Sequence, residues 1–372
     1  MRTAIVHYWL LGMRGGEKVV EALCRMLPDA DLFTLFYDPS RVSDTIRSRR
    51  VTASYLNPLR RFYRSMLPFM PSALESFDLR GYDLILSSES GPAKGVLVPS
   101  RARHICYCHT PIRYLWELYP AYLNDWTRNP LKRMLMRPIA RNLRLWDFAA
   151  AARVDEFVAN SANVQRRIWK TYRRESAVVH PPVAVECFTH RPAEDYFLIV
   201  SELVAYKQLD YAVRAFARAG RRLKIAGDGP EFRNLRRQSG GSVEFCGRVS
   251  DVDLRELYSR SRALILPGEE DFGITPVEAL ASGKPVIALA RGGALETVPA
   301  GEMPAGVLNP DATEASLERA LADFETLEPR VEPRNLQQWA ARFSESRFRE
   351  KMERIIRGDG HGDAACSGSR SE

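Results

Sequence analysis

Pro267-Gly-Glu-Glu-Asp-Phe-Gly-Ile-Thr-Pro-Val-Glu-Ala-Leu-Ala-Ser-Gly-Lys-Pro-Val286 lies between two short apolar runs, Ala263–Pro267 and Pro285–Leu289. Both runs read as buried strands. Between them Thr275 suits a helix N-cap and Pro276 the first helical position, so a helix is predicted over Thr275–Ala281. Gly283 stops it. The free amides of Phe272–Val277 then lie at a helix N-terminus, where anions bind. Glu270 in the loop and Glu278 in the first turn bracket that point. Carboxylates beside an anion site repel the anion, so they suit the hydroxyl-rich parts of a ligand. A nucleoside diphosphate sugar supplies phosphates, a ribose diol and a sugar together. The plain alternative makes both acids solvated loop and helix-terminal residues.

The strand–helix rhythm extends outward from this segment. Tyr196–Ser201, Leu223–Ala226 and Val243–Cys246 read as strands, and Leu209–Ala219 and Asp251–Arg260 as helices. The first half repeats it. Thr3–Trp9, Leu32–Tyr37, Tyr82–Ser87 and His104–His109 read as strands, and Gly16–Leu27, with Val19, Val20 and Leu23 in register, as a helix ending at Pro28. Such alternation marks parallel sheets covered on both faces. His180-Pro181-Pro182-Val183 is a stiff connection between the halves. The fold class is α/β, with two doubly wound domains facing across a cleft at the carboxyl ends of their strands. The predicted domains are 1–185 and 190–343. The amphipathic segment 344–357, carrying Phe348, Met352, Ile355 and Ile356, is predicted to pack back on the first domain. Residues 358–372, rich in Gly and small polar residues, are predicted to be disordered.

The 372 residues, 45% apolar and 27% charged, have globular composition. The net charge of +8 is local. Residues 47–64 hold Arg47, Arg49, Arg50, Arg60, Arg61 and Arg64 without an acid; residues 127–144 hold Arg128, Lys132, Arg133, Arg137, Arg141 and Arg144 without one. No nucleic-acid reader motif accompanies them, so a nucleic-acid partner is not predicted. Arg133, Arg137, Arg141 and Arg144 share one helical face, interleaved with Leu131, Met134, Leu135, Ile139 and Leu143. Pro138 is predicted to split that helix. Tyr55–Pro71 similarly mixes Arg60, Arg61 and Arg64 with Leu59, Phe62, Met66, Leu67 and Phe69. An anionic membrane surface is the partner these stretches fit, against the alternative of a core helix with a solvated basic face. The chain opens on a strand rather than an apolar leader, and no run of ~18 apolar residues follows. A cytoplasmic location is predicted, peripheral on the inner face of the membrane. The six cysteines are scattered, which does not suit a disulfide framework. Cys106-Tyr107-Cys108-His109 lacks the second ligand pair of a zinc site, so no metal is predicted there. A nicotinamide dehydrogenase would carry Gly-x-Gly-x-x-Gly after the first strand, and none is present.

The spacing Glu270-x₇-Glu278, with Phe272-Gly273 inside and Ala-x-Ala-x-Gly-x-Pro-Val-Ile following, resembles the signature of the family 4 retaining glycosyltransferases. These have the GT-B fold of two Rossmann-like domains. The resemblance runs from Ile5 to about Ile356. It implies that Glu278 holds the ribose hydroxyls, that Glu270 meets the transferred sugar, and that the amides of Phe272, Gly273, Ile274 and Thr275 touch sugar and phosphate. Gly15 and Gly16 resemble the family's glycine-rich turn, and His109 its histidine near the reacting carbon. Lys207 resembles the lysine that meets the diphosphate; Gly227, Gly247 and Arg248 lie in turns resembling those that line the nucleotide pocket. Where the family usually has an arginine, five residues before the lysine, this chain has Glu202; Arg248 is a cation that could take its place. The surrounding words, including Tyr107-Cys-His-Thr-Pro-Ile-Arg-Tyr-Leu-Trp116, resemble the bacterial O-antigen and exopolysaccharide mannosyltransferase branch. That branch implies GDP-mannose as donor, held by the second domain, and a lipid-linked saccharide as acceptor, which in this family the first domain faces; Arg60, Arg61, Arg64, Arg133, Arg137 and Arg141 then lie on the membrane and acceptor side. No Asp-x-Asp motif is present, so no metal cofactor is predicted. The alternatives are a nucleotide-sugar epimerase of the same architecture and a degenerate donor-binding partner protein.

Overall fold

The computed structural model describes residues 1–120, 130–299, 303 and 305–359. The tail predicted to be disordered lies outside the described residues from position 360 onward, as do Arg128 and the side chains of Leu131 and Lys132. The chain divides into two compact units. One comprises Met1–His180 with the chain from Phe348 onward, the other Pro181–Arg347. The first division falls at the His180-Pro181 step, and the second inside the last helix, Glu345–Arg357.

The first unit is built on a seven-stranded sheet: β1 (Thr3–His7), β2 (Asp31–Thr34), β3 (Val51–Ala53), β4 (Leu84–Glu89), β5 (Arg103–Cys108), β6 (Glu156–Ala159) and β7 (Ser176–Val178). Its order is β3-β2-β1-β4-β5-β6-β7, and every pairing is parallel. Alternate residues enter opposite core layers. Ala4 and Val6 pack on one side, and Ile5 on the other with the Gly15–Met26 helix. Phe348, Met352 and Ile355 of the last helix join that second layer. Arg103 closes the helix end by donating to the Ile355 and Ile356 carbonyls at 2.8 and 2.9 Å. Cys106 and Cys108, both on β5, are buried together with Phe157 of β6.

The second unit holds six parallel strands: β8 (Phe197–Val200), β9 (Leu223–Ala226), β10 (Val243–Gly247), β11 (Leu264–Leu266), β12 (Val286–Leu289) and β13 (Gly306–Asn309). Their order is β10-β9-β8-β11-β12-β13. Helices Leu209–Ala219 and Glu314–Leu327 pack on one face, and Ile274–Ala281 and Pro333–Ala340 on the other.

Three local expectations are corrected. Pro138 does not split its helix, which runs unbroken over Pro130–Ala152. Pro138 is exposed, and the carbonyl that loses its partner one turn earlier belongs to exposed Met134, within reach of water. The basic face predicted on that helix is narrower than its spacing suggests. Ile139 and Leu143 pack into the core, and Arg144 donates to the Leu115 carbonyl at 3.1 Å and stacks on Tyr119. Finally, the helix after the acidic loop is capped by Gly273 at φ 89°, not by Thr275. Glycine's left-handed backbone turns the chain directly into the helix. Thr275 and Pro276 fall in the first turn, where the missing proline N–H has no partner to lose.

Candidate functional site

Each sheet reverses its strand order once, and loops leaving neighbouring strands at such a point diverge to open a crevice. In the second unit the reversal lies between β8 and β11. Lys207 ends the short turn Ala205–Lys207 after β8, and Glu270 sits in the loop after β11. Their ammonium and carboxylate are directly paired, and both side chains are about four-fifths buried. Burial opposes the lysine's charge, but Glu270, together with Tyr206 and Asp271, more than offsets it, and the pKa of Lys207 is raised. The group is an ammonium at neutral pH.

Glycines make this pairing possible. A β-carbon on Gly268 would lie 2.5 Å from the Lys207 carbonyl oxygen, so only glycine lets the acidic loop lie against the lysine turn. On the far side, Gly293 donates to the Glu270 carbonyl at 2.8 Å. Gly292, at φ 61°, has no room for a β-carbon, which would meet the same carbonyl at 2.3 Å. The sequence reading gives Gly268 and Gly292 no role.

Glu278 lies in the helix beyond the loop and is 5% exposed. The Tyr258 hydroxyl donates to its Oε2 at 2.8 Å. Burial first, and the Glu278 charge second, push the Tyr258 phenol well above its usual range, so it remains a donor. Nothing in the sequence around Tyr258 marks it as a site residue, because it lies on the Asp251–Arg260 helix, before the acidic loop. The N-cap residue of the Ile274–Ala281 helix is Gly273, which has no side chain to offer, so the Ile274 and Thr275 amides lie at the positive end of the helix dipole. The Phe272 ring faces away, buried against Phe343 at 5.6 Å. The expectation for Phe272 therefore concerns its backbone only.

Gly227 draws the neighbouring strand ends together. Its N–H donates to the Gly247 carbonyl at 2.7 Å, and a β-carbon would lie 1.9 Å from the Ser201 carbonyl oxygen. Gly247 turns at φ 66° with open space beside it. Arg248 is exposed, 3.9 Å from Asp228 Oδ2. Glu202 is half-buried, and its carbonyl accepts from Val204 N–H at 3.0 Å.

In the first unit the reversal lies between β1 and β4. His7 pairs in register with Ser88 there. His7 Nδ1 is 2.9 Å from the Ser88 carbonyl oxygen, and His109 Nε2 is 2.9 Å from Ser88 Oγ. Gly15 and Gly16 open the Gly15–Met26 helix over this pair. A β-carbon on Gly16 would stand 3.4 Å from His7 Cε1 and 3.6 Å from His109 Nε2. Burial lowers His109 to about 4; burial and then His109 lower His7 to about 3. Both imidazoles are neutral at pH 7. His7 Nε2 is buried without a hydrogen bond among the described residues, and the sequence reading treats His7 only as a strand residue.

Arg60, Arg61 and Arg64 are exposed on the 3₁₀ stretch Asn57–Phe69. Arg64 lies over the Tyr63 ring. Arg137 and Arg141 are exposed on the Pro130–Ala152 helix, beside exposed Met134 and Leu135, while Arg133 is half-buried.

The family description "Glycosyltransferase Family 4" matches residues 13–186, and "Glycosyl transferases group 1" matches residues 188–342. Over 121 residues the chain is 35% identical to the alpha-1,3/1,6-mannosyltransferase alg-2 of Neurospora crassa, covering 31% of this chain and 26% of that one. Over 186 residues it is 26% identical to O-antigen chain mannosyltransferase C of Escherichia coli, covering 45% and 50%. The chain spans between a tenth and a half of the length of the curated relatives it matches. Its fold is similar to that of Anabaena HepE in complex with UDP, with TM-score 0.67 and 16% identity over 96% of this chain and 100% of that one.

Proposed function

The chain belongs to the family 4 glycosyltransferases, and from that premise we propose that it is a retaining hexosyltransferase moving mannose from GDP-mannose to a lipid-linked saccharide in cell-surface polysaccharide synthesis. The observation that carries this reading is the Lys207–Glu270 pair at the strand-order reversal of the second unit, one loop from a helix head capped by Gly273. In the proposed complex the diphosphate lies on that helix head and Lys207. Glu278, held by Tyr258, takes the ribose hydroxyls, and Glu270 meets the transferred sugar. The bond from the anomeric carbon to the leaving oxygen breaks, and its electron pair passes to the diphosphate. The growing negative charge is met by the ammonium and the amides, which are already in place. The acceptor hydroxyl adds on the same face, and its proton passes to the leaving oxygen. His109 contributes a neutral imidazole on the acceptor side.

The mannosyltransferase relatives support mannose, and the UDP complex of HepE supports a nucleotide-sugar donor. No described helix is long and apolar enough to cross a membrane. Exposed Arg137 and Arg141 beside Met134 and Leu135 support peripheral docking next to a lipid-linked acceptor. Incubation with GDP-mannose and a lipid-linked saccharide fraction tests the reading. Transfer of mannose with the α-anomeric configuration kept, followed by NMR, is expected. Conversion of the donor to its epimer in the absence of acceptor would overturn it.

A further inference from the structure

The first unit holds a pocket of about 400 Å³. Three segments line it, each following a strand of the sheet: the turn after β1, the turn after β2, and the 3₁₀ stretch after β3. They bring together Arg14, Arg41, Arg60 and Arg61. The acids among the lining residues are Glu17 and Asp38. Asp38 is held by the Ser40 N–H and Oγ at 3.1 and 2.6 Å. Glu17, itself buried, accepts the Arg14 N–H at 3.2 Å. Four guanidinium groups against two carboxylates leave a positive excess, which selects an anion. Guanidinium forks match phosphate oxygens in paired hydrogen bonds. Trp9 and Tyr63 supply an aromatic wall, packed edge to face at 5.1 Å, and Tyr63 is braced in turn by Phe36 at 6.2 Å. An aromatic wall beside a phosphate site suits a sugar phosphate better than a bare anion.

The pocket also connects to the neutral histidines through one helix head. Arg14 is the N-cap of the Gly15–Met26 helix, Gly16 stands next to His109, and Glu17 lines the pocket. We propose that this pocket binds the phosphate or diphosphate of the acceptor, with the acceptor sugar against Trp9 and Tyr63. The assignment rests on the transferase reading, which supplies an acceptor. It gives Arg60 and Arg61 a ligand rather than a membrane surface alone. Leu59 and Phe62, beside them in the chain, are 46% and 65% exposed, which suits an acceptor whose phosphate carries a lipid.

Calorimetry on the full chain saturated with GDP tests the proposal. The probes are inorganic pyrophosphate and geranyl diphosphate, on the wild type and on Arg41→Gln/Arg61→Gln. Both probes are expected to bind the GDP-saturated wild type and to bind the double variant at least tenfold more weakly. The variant should keep its GDP affinity and its melting temperature, which excludes misfolding. Tenfold tighter binding of geranyl diphosphate than of pyrophosphate identifies a lipid-linked acceptor. Equal binding shows that the pocket reads the phosphates and not a lipid chain, as a soluble phosphorylated acceptor requires. No binding to the GDP-saturated wild type, or equal binding to the double variant, overturns the assignment. If GDP does not bind at all while the probes still depend on Arg41 and Arg61, the pocket stands and the donor reading falls.

Discussion

Lys207 and Glu270 lie 63 residues apart in the chain, yet their side chains form one ion pair at the point where the second sheet reverses its strand order. The pair has a consequence for donor binding. The lysine charge is already matched by a carboxylate, so an arriving diphosphate competes with Glu270 for it.

Removing either partner should therefore act in opposite directions. Lys207→Met is expected to lower GDP affinity at least tenfold. Glu270→Gln is expected to leave GDP affinity unchanged or raise it, because it removes a negative charge near the phosphates. Titration calorimetry on both variants checks this. A loss of affinity in both would mean that the pair acts as a single structural unit.

Tyr258 is predicted to position Glu278. A hydrogen bond to a charged group contributes about 1.5–3 kcal/mol. Tyr258→Phe should then raise KM for the donor roughly tenfold while kcat stays within about threefold. A merely structural tyrosine would lower the melting temperature without that split, and unchanged KM would remove Tyr258 from the site.

The neutral histidines set a pH dependence of stability. An unfolded imidazole takes up a proton near 6.5, whereas folded His109 does so only near 4. Its contribution is complete above pH 6.5 and is lost as the pH falls toward 4. Glu17, pushed up by burial to about 6, and Glu89, pushed up to about 7, titrate across the same range with the opposite sign. A comparison of variants isolates the histidine. Between pH 7 and pH 5, the Tm of His109→Gln should fall by a few degrees less than that of the wild type, since ~1 kcal/mol shifts Tm by about 2–4 °C in a unit of this size. Parallel curves would contradict the neutral-imidazole assignment.

Membrane docking is predicted to depend on lipid charge. Each basic residue near an anionic surface adds ~1 kcal/mol at low salt. Co-sedimentation with anionic vesicles should exceed that with zwitterionic vesicles, and Arg137→Glu/Arg141→Glu should weaken it at least tenfold. Indifference to lipid charge at low salt would end the docking idea.

The alternation of strands and helices is legible because Ile5, Leu86, Ile199 and Ile287 lie in continuous apolar runs. Short strands such as β3 and β7 carry no such run; their partners, not their composition, make them strands. Glu270 and Glu278 stand out because both lie close in sequence to one helix head. Gly268, Tyr258 and the arginine pocket do not, because each depends on a segment distant in the chain. Gly268 is needed only because the Lys207 carbonyl lies against it. Tyr258 belongs to a helix that precedes the acidic loop. The pocket needs three loops that only the parallel sheet brings to one end.

Steady-state mannose transfer from GDP-mannose to a lipid-linked saccharide fraction, for the wild type, Glu270→Ala and Glu278→Ala, tests the central claim most directly. Glu278→Ala should raise KM for the donor through the lost ribose contacts. Glu270→Ala should lower kcat by tenfold or more with a smaller change in KM. Wild-type kinetics for both variants, in a preparation that binds donor and transfers sugar, would contradict the placement of the reaction at this site.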